Sequence, residues 1–162
     1  MWGKHKKQSL ESGSRAPSFK LKSIDGATQS LEEILARGPV LLAFFKIGCP
    51  VCQLALPYLE RLAASPSLQV VAISQDDAAA TSGFRRRFGI TFPALLDQSK
   101  EGYPASNAYG ITTVPSLFLV EKDGEIASSS TGFSKRDLES LGDRAGVRTF
   151  RPEDNVPEWK AG

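Results

Sequence analysis

The chain has 162 residues, of which 41% are hydrophobic and 23% charged, and its formal net charge is +2. That length suits one domain with one sizeable core, and the composition is that of an ordinary globular protein. So small a net charge, without a long basic stripe, does not imply a nucleic-acid surface, and no stretch is long and apolar enough to span a bilayer as a helix.

Residues 1–15 are polar and read as a disordered N-terminal tail. Its lysines Lys4, Lys6 and Lys7 are followed by Gln8, Ser9 and Glu11 rather than by an apolar run. No signal peptide is therefore read, and the chain as given is expected in the cytoplasm, a removed leader aside. A domain over residues 16–146 follows, and 147–162, with Pro152, Pro157 and Trp159, reads as a C-terminal tail.

Within the domain, Phe19–Lys22 forms a short extended piece and Asp25-Gly26 a turn. Ser30 with Glu33 is a capping-box pattern ahead of a short helix carrying Leu31, Ile34 and Leu35, which Gly38-Pro39 ends. The unbroken apolar run Val40-Leu41-Leu42-Ala43-Phe44-Phe45 predicts a central strand buried on both faces. A helix then runs from the cysteine pair to Ala64, with Ala55, Tyr58, Leu59 and Leu62 on one face and Pro57 placed to kink it. A second buried strand spans Val70–Ile73, and a helix near Asp77–Phe88 stacks Ala80, Phe84 and Phe88. The run Arg85-Arg86-Arg87 reads as a solvated helix face rather than an anion site. A weaker strand at Pro93–Asp97, a short helix around Tyr103–Tyr109, and a strand at Ser116–Val120 come next. Lys122-Asp123-Gly124 is a tight turn into an antiparallel partner at about Glu125–Ser130. Ser134 with Asp137 caps a last helix, Lys135–Ala145. This order predicts an α/β fold, a mixed central sheet with helices on both faces.

The chain holds two cysteines, in Cys49-Pro50-Val51-Cys52. A bridge between neighbours so close removes little unfolded-state entropy, so the pair is a poor staple, and its spacing points to chemistry. Disulfide exchange needs a thiolate, whereas a free cysteine, with a pKa of ~8.5, is mostly protonated at neutral pH. The N-terminus of a helix offers unpaired N–H groups and the positive end of the macrodipole, which stabilise an anionic sulfur. Cys49 is expected there as the exposed nucleophile, and Cys52, one turn on and partly beneath it, as the resolving thiol. The other readings of the pair are inert packing and half of a zinc site. The latter lacks ligands, since the single histidine is His5, in the tail, and there is no third cysteine.

Two segments, Phe44-Phe45-Lys46-Ile47-Gly48-Cys49-Pro50-Val51-Cys52 with Pro57 after it, and Thr113-Val114-Pro115-Ser116-Leu117-Phe118-Leu119-Val120, resemble the active-site segments of the thioredoxin-like superfamily. The likeness covers about Ala16–Ala145. It looks closest to the redoxin branch, comprising the alkyl hydroperoxide reductase/thiol-specific antioxidant family and the TlpA-like thiol–disulfide oxidoreductases. The opening Ala16-Pro17-Ser18-Phe19, the Asp25-Gly26 turn and the long segment between Ile73 and Pro115 carry that closer likeness. The resemblance implies a thioredoxin fold and a cis-proline at Pro115, which on its own would pass for an ordinary strand-start proline. It also implies that Thr113, Val114 and Pro115, with Gly48 and Pro50 beside the first cysteine, line the place where a partner docks. The activity implied is thiol–disulfide exchange with protein or small-molecule disulfides. Electrons then pass through another dithiol protein or a small thiol, with no metal, nucleotide or flavin.

The pattern departs from these relatives at three positions. Gly48 replaces the tryptophan that precedes the first cysteine in thioredoxins, Ala43 stands where thioredoxin has a buried acid, and Ala55 stands where TlpA-like proteins have a glutamate. Neither familiar proton acceptor for Cys52 is present. A peroxiredoxin-like thiol peroxidase is the alternative, but with Cys52 as the peroxide-reactive sulfur the threonine of that motif would be Cys49 and its proline Phe45. A binding module that uses the groove near Pro115 without turnover is the third reading.

Overall fold

The computed structural model describes residues 10–162. Its strands and helices are β1 (Lys20–Ser23), β2 (Thr28–Ser30), α1 (Leu31–Leu35), β3 (Val40–Phe45), α2 (Pro50–Ala63), β4 (Gln69–Ser74), α3 (Ala78–Phe88), β5 (Ala94–Leu96), α4 (Pro104–Ala108), β6 (Ser116–Val120), β7 (Ile126–Thr131), β8 (Phe133–Ser134), α5 (Lys135–Ala145) and β9 (Trp159–Lys160). Seven strands make one mixed sheet in the order β2-β1-β5-β4-β3-β6-β7. Strand β3 lies near its middle, parallel to β4 and antiparallel to β6.

The apolar run of β3 is buried at all six residues because both of its faces are covered. Successive side chains alternate across the sheet. Leu41, Ala43 and Phe45 enter a core shared with α2, Phe84 of α3 and Leu138 and Leu141 of α5. Val40, Leu42 and Phe44 enter a second core with Leu31, Ile34 and Leu35 of α1 and Tyr109 just after α4. There Phe44 packs on Tyr109 and Phe118 with ring centroids 5.2 and 5.7 Å away. The expected sheet with helices on both faces is the observed one.

Local signals behave as their chemistry dictates. Ser30 Oγ accepts from Glu33 N–H at 3.1 Å, Asp77 Oδ1 from Ala80 N–H at 2.8 Å and Ser134 Oγ from Asp137 N–H at 3.2 Å, capping α1, α3 and α5. Helix α2 continues unbroken through Pro57. The arginines 85–87 fill the last turn of α3, where cations suit the dipole. Arg85 is more than a solvated side chain, since its Nη2 donates to the Thr91 and Phe92 carbonyls at 3.1 and 2.9 Å.

Both expected tails need revision. Residues 1–9 lie outside the described residues, but 10–15 pack along the sheet. Gly13 N–H donates to the Ile126 carbonyl at 2.8 Å, Ser12 Oγ donates to Ala127 O at 2.9 Å, and Arg15 bridges to Glu125. Residues 147–162 are fastened across the α2/α5 side. Phe150 is buried, its ring 4.8 Å from that of Tyr58. Arg61 forms a two-pronged ion pair with Asp154 at 2.6 and 3.1 Å. Beyond it, β9 pairs antiparallel with β8. Among the described residues no helix is long and apolar enough to cross a membrane.

Candidate active site

Strand β3 ends at Phe45, the loop Lys46-Ile47-Gly48 turns the chain, and α2 begins at Pro50. Carboxyl ends of central strands are where open α/β sheets gather their sites. Cys49 is the N-cap residue of α2, with extended backbone (φ −90, ψ 112). Its sulfur takes the place that a serine or aspartate oxygen usually takes, accepting the Cys52 N–H at 3.1 Å. Pro50 sits at the first helical turn, where a missing N–H costs nothing.

The two sulfurs differ in environment. Cys49 is half-buried, whereas Cys52 is fully buried, and both are free thiols. Burial pushes the Cys52 thiol well above its ordinary value, and its hydrogen bond to Cys49 pushes it the same way. The backbone N–H of Lys46, directed at the Cys52 sulfur, opposes the shift. Ala43 and Ala55, the two positions that carry acids in the relatives resembled, are 0% and 2% exposed and belong to the same apolar cluster as Cys52. No carboxylate relieves the burial from either side.

The second expected segment meets the first. The Val114–Pro115 peptide bond is cis, and Cys49 Sγ donates to the Val114 carbonyl at 3.5 Å. Thr113 and Val114 are half-buried and Pro115 is buried, while Gly48 and Pro50 are exposed beside the sulfur. A Cβ on Gly48 would meet nothing within 4 Å, so this position leaves Cys49 uncovered rather than meeting a steric demand. The Cys49 sulfur thus meets Cys52 N–H and the Val114 carbonyl, with Gly48 and Pro50 flanking Cys49 in the chain and Thr113 and Pro115 flanking Val114.

Other participants escaped the sequence reading. Asp76, just past β4, accepts the Ile47 N–H at 2.8 Å, and Gln53 Nε2 donates to the Ile47 carbonyl at 3.0 Å. Together they brace the loop that carries Lys46 N–H and Cys49. Asp76 follows a strand and precedes an N-cap aspartate, so only tertiary contact distinguishes it from an ordinary turn acid. The end of the chain also reaches the site, since Gly162 packs against the Val114 carbonyl. Among the described residues no group of three or more His, Cys, Asp or Glu side chains is arranged to hold a metal.

The chain is 30% identical over 138 residues to the thiol-disulfide oxidoreductase ResA of Geobacillus kaustophilus, covering 82% of this chain and 77% of that one. Its backbone is similar to the thioredoxin domain of a thiol-disulfide oxidoreductase from Bacteroides vulgatus (TM-score 0.73, 22% identity, 84% of this chain and 98% of that chain). It is also similar to the peroxidoxin BcpB from Mycobacterium tuberculosis (TM-score 0.67, 21% identity, 84% and 94%). At such identities the two structures establish the thioredoxin fold and leave the chemistry to the site. The model of the AhpC/TSA family matches residues 12–129, well over half of the sequence, and the chain belongs to that family.

Proposed function

We propose that this chain is a thiol–disulfide oxidoreductase in which Cys49 is the nucleophile and Cys52 the resolving thiol. The observation that carries the reading is the asymmetry of the pair: a half-buried sulfur capping the N-terminus of α2, and a buried one a single turn behind it. The name borne by the Geobacillus relative supports the same activity. In the reducing direction the Cys49 thiolate attacks one sulfur of a partner disulfide, and the other partner sulfur leaves and takes up a proton. Cys52 then loses its proton and attacks Cys49 Sγ. The intramolecular disulfide forms, and the second partner thiol is released. Two electrons pass from the dithiol to the partner, and a second dithiol protein or a small thiol must return them. Thr113, Val114, Pro115, Gly48 and Pro50 form the surface on which the partner rests.

A peroxidase using Cys52 fits less well, because burial holds that sulfur protonated and away from solvent, and a thiol reacts poorly with peroxide. Substitution separates the roles. Cys49→Ser is expected to abolish disulfide reduction, and Cys52→Ser to accumulate a mixed disulfide with the partner that intact-mass measurement detects. Full activity in both variants would rule the mechanism out. Unimpaired partner binding by the double serine variant, in a protein without turnover, would favour the binding module.

A further inference from the structure

We propose that residues 159–162 are a strap that excludes polypeptide disulfides from Cys49 while leaving it open to low-molecular-weight disulfides. This rests on the exchange reading above and names its substrate class.

The Val114 carbonyl lies between two neighbours. Cys49 Sγ donates to it at 3.5 Å, and Gly162 packs on it so closely that a Cβ there would collide with the oxygen and stand 2.9 Å from Thr113 Oγ1. A second glycine admits the strap. At Gly132, between β7 and β8, a Cβ would run into the Lys160 carbonyl and lie 3.2 Å from Gly162 N. The strap is seated by backbone pairing of its own β9 with β8 and, just upstream, by Lys135 N–H donating to the Glu158 carbonyl at 3.0 Å. Val156 packs against the α2/α5 core. The strap's own residues 159–162 are exposed, with Trp159 62% accessible, so it lies on the surface as a single layer.

An extended polypeptide bringing a disulfide to Cys49 must satisfy its own N–H and C=O groups, and the backbone at 113–114 is the place beside the sulfur to do so. The strap already lies against that backbone. A polypeptide therefore binds only in the fraction of molecules whose strap has lifted, and its apparent affinity falls by that fraction. A small disulfide needs no such pairing and reaches the half-buried sulfur directly.

The test compares the full chain with a chain ending at Glu158 and with Gly162→Val, whose Cβ would force the strap off the Val114 carbonyl. Reduction of insulin and of hydroxyethyl disulfide is followed with dithiothreitol as electron source. Insulin reduction is expected to rise about tenfold in both variants while hydroxyethyl disulfide reduction stays within about twofold. An unchanged insulin rate in folded variants, or a parallel fall with both substrates, would overturn the strap. Should the shortened chain fail to fold, Gly162→Val alone decides. Loss of both activities from the full chain would instead dismiss the exchange reading on which the strap rests.

Discussion

The two cysteines share a helical turn, yet one is a surface cap and the other a core residue. That difference sets a pH dependence. Because burial raises the Cys52 thiol, the thiolate fraction available for resolution is small at neutral pH and grows about tenfold for each unit of pH below that raised value. Release of a partner from the Cys49 mixed disulfide, followed in single turnover, is expected to accelerate continuously from neutral pH into the alkaline range. A plateau near neutrality would mean that some group takes the proton. The same shift bears on stability with a definite sign. Below the ordinary cysteine value of ~8.5 both folded and unfolded Cys52 are protonated, and above it the unfolded chain sheds the proton that the folded chain keeps. The reduced protein is therefore expected to lose stability as pH rises past that value. These residues were legible in the sequence because spacing alone puts Cys49 at a helix start and Cys52 a turn inside. Asp76 was not, because its role is to accept the Ile47 N–H, from a residue 29 positions away that no sequence pattern links to it.

Among the elements, those with strong periodicity or caps were readable. Strand β3, with six apolar residues in a row, and α5, with Ser134 at its cap, fall where the pattern puts them. Strand β2 and β9 were not readable, being three and two residues long and mostly polar, held by pairing with β1 and β8 rather than by burial. The segment after α5 was misread for a related reason. Its attachment rests on Phe150 against Tyr58 and on Arg61, which holds both the Thr149 carbonyl and Asp154, and these partners lie far back along the chain. Arg61, with the Arg151 N–H, holds the Asp154 carboxyl down to about 2, below the ordinary value of ~3.9. Its contribution is present above that ordinary value and lost as pH falls through about 2. The gap in urea midpoint between the wild type and Asp154→Ala is thus expected to hold near neutral pH and to narrow on acidification through this window. A gap independent of pH would show that Asp154 acts through shape alone.

The whole molecule places its chemistry by layering. One core, under α2, α3 and α5, buries Cys52, and the other, under α1 and α4, is built around Phe44, Tyr109 and Phe118 and supports β3 from behind. Stacking both faces on β3 leaves its carboxyl end and the 113–115 loop as the place where a sulfur meets the surface. The family resemblance correctly pointed to that meeting, whereas the strap of residues 159–162 belongs to the folded molecule only and has no pattern of its own in the sequence. Everything chemical in this reading depends on Cys49 and Cys52 cycling between dithiol and disulfide. The decisive measurement equilibrates the protein with graded mixtures of reduced and oxidised glutathione and counts its thiols by intact mass after alkylation. A reversible two-electron transition is expected, in which both thiols disappear together as one intramolecular bridge forms, with no bridge in either single serine variant. Two thiols that persist across the whole range, or that only ever form separate adducts with glutathione, would contradict it.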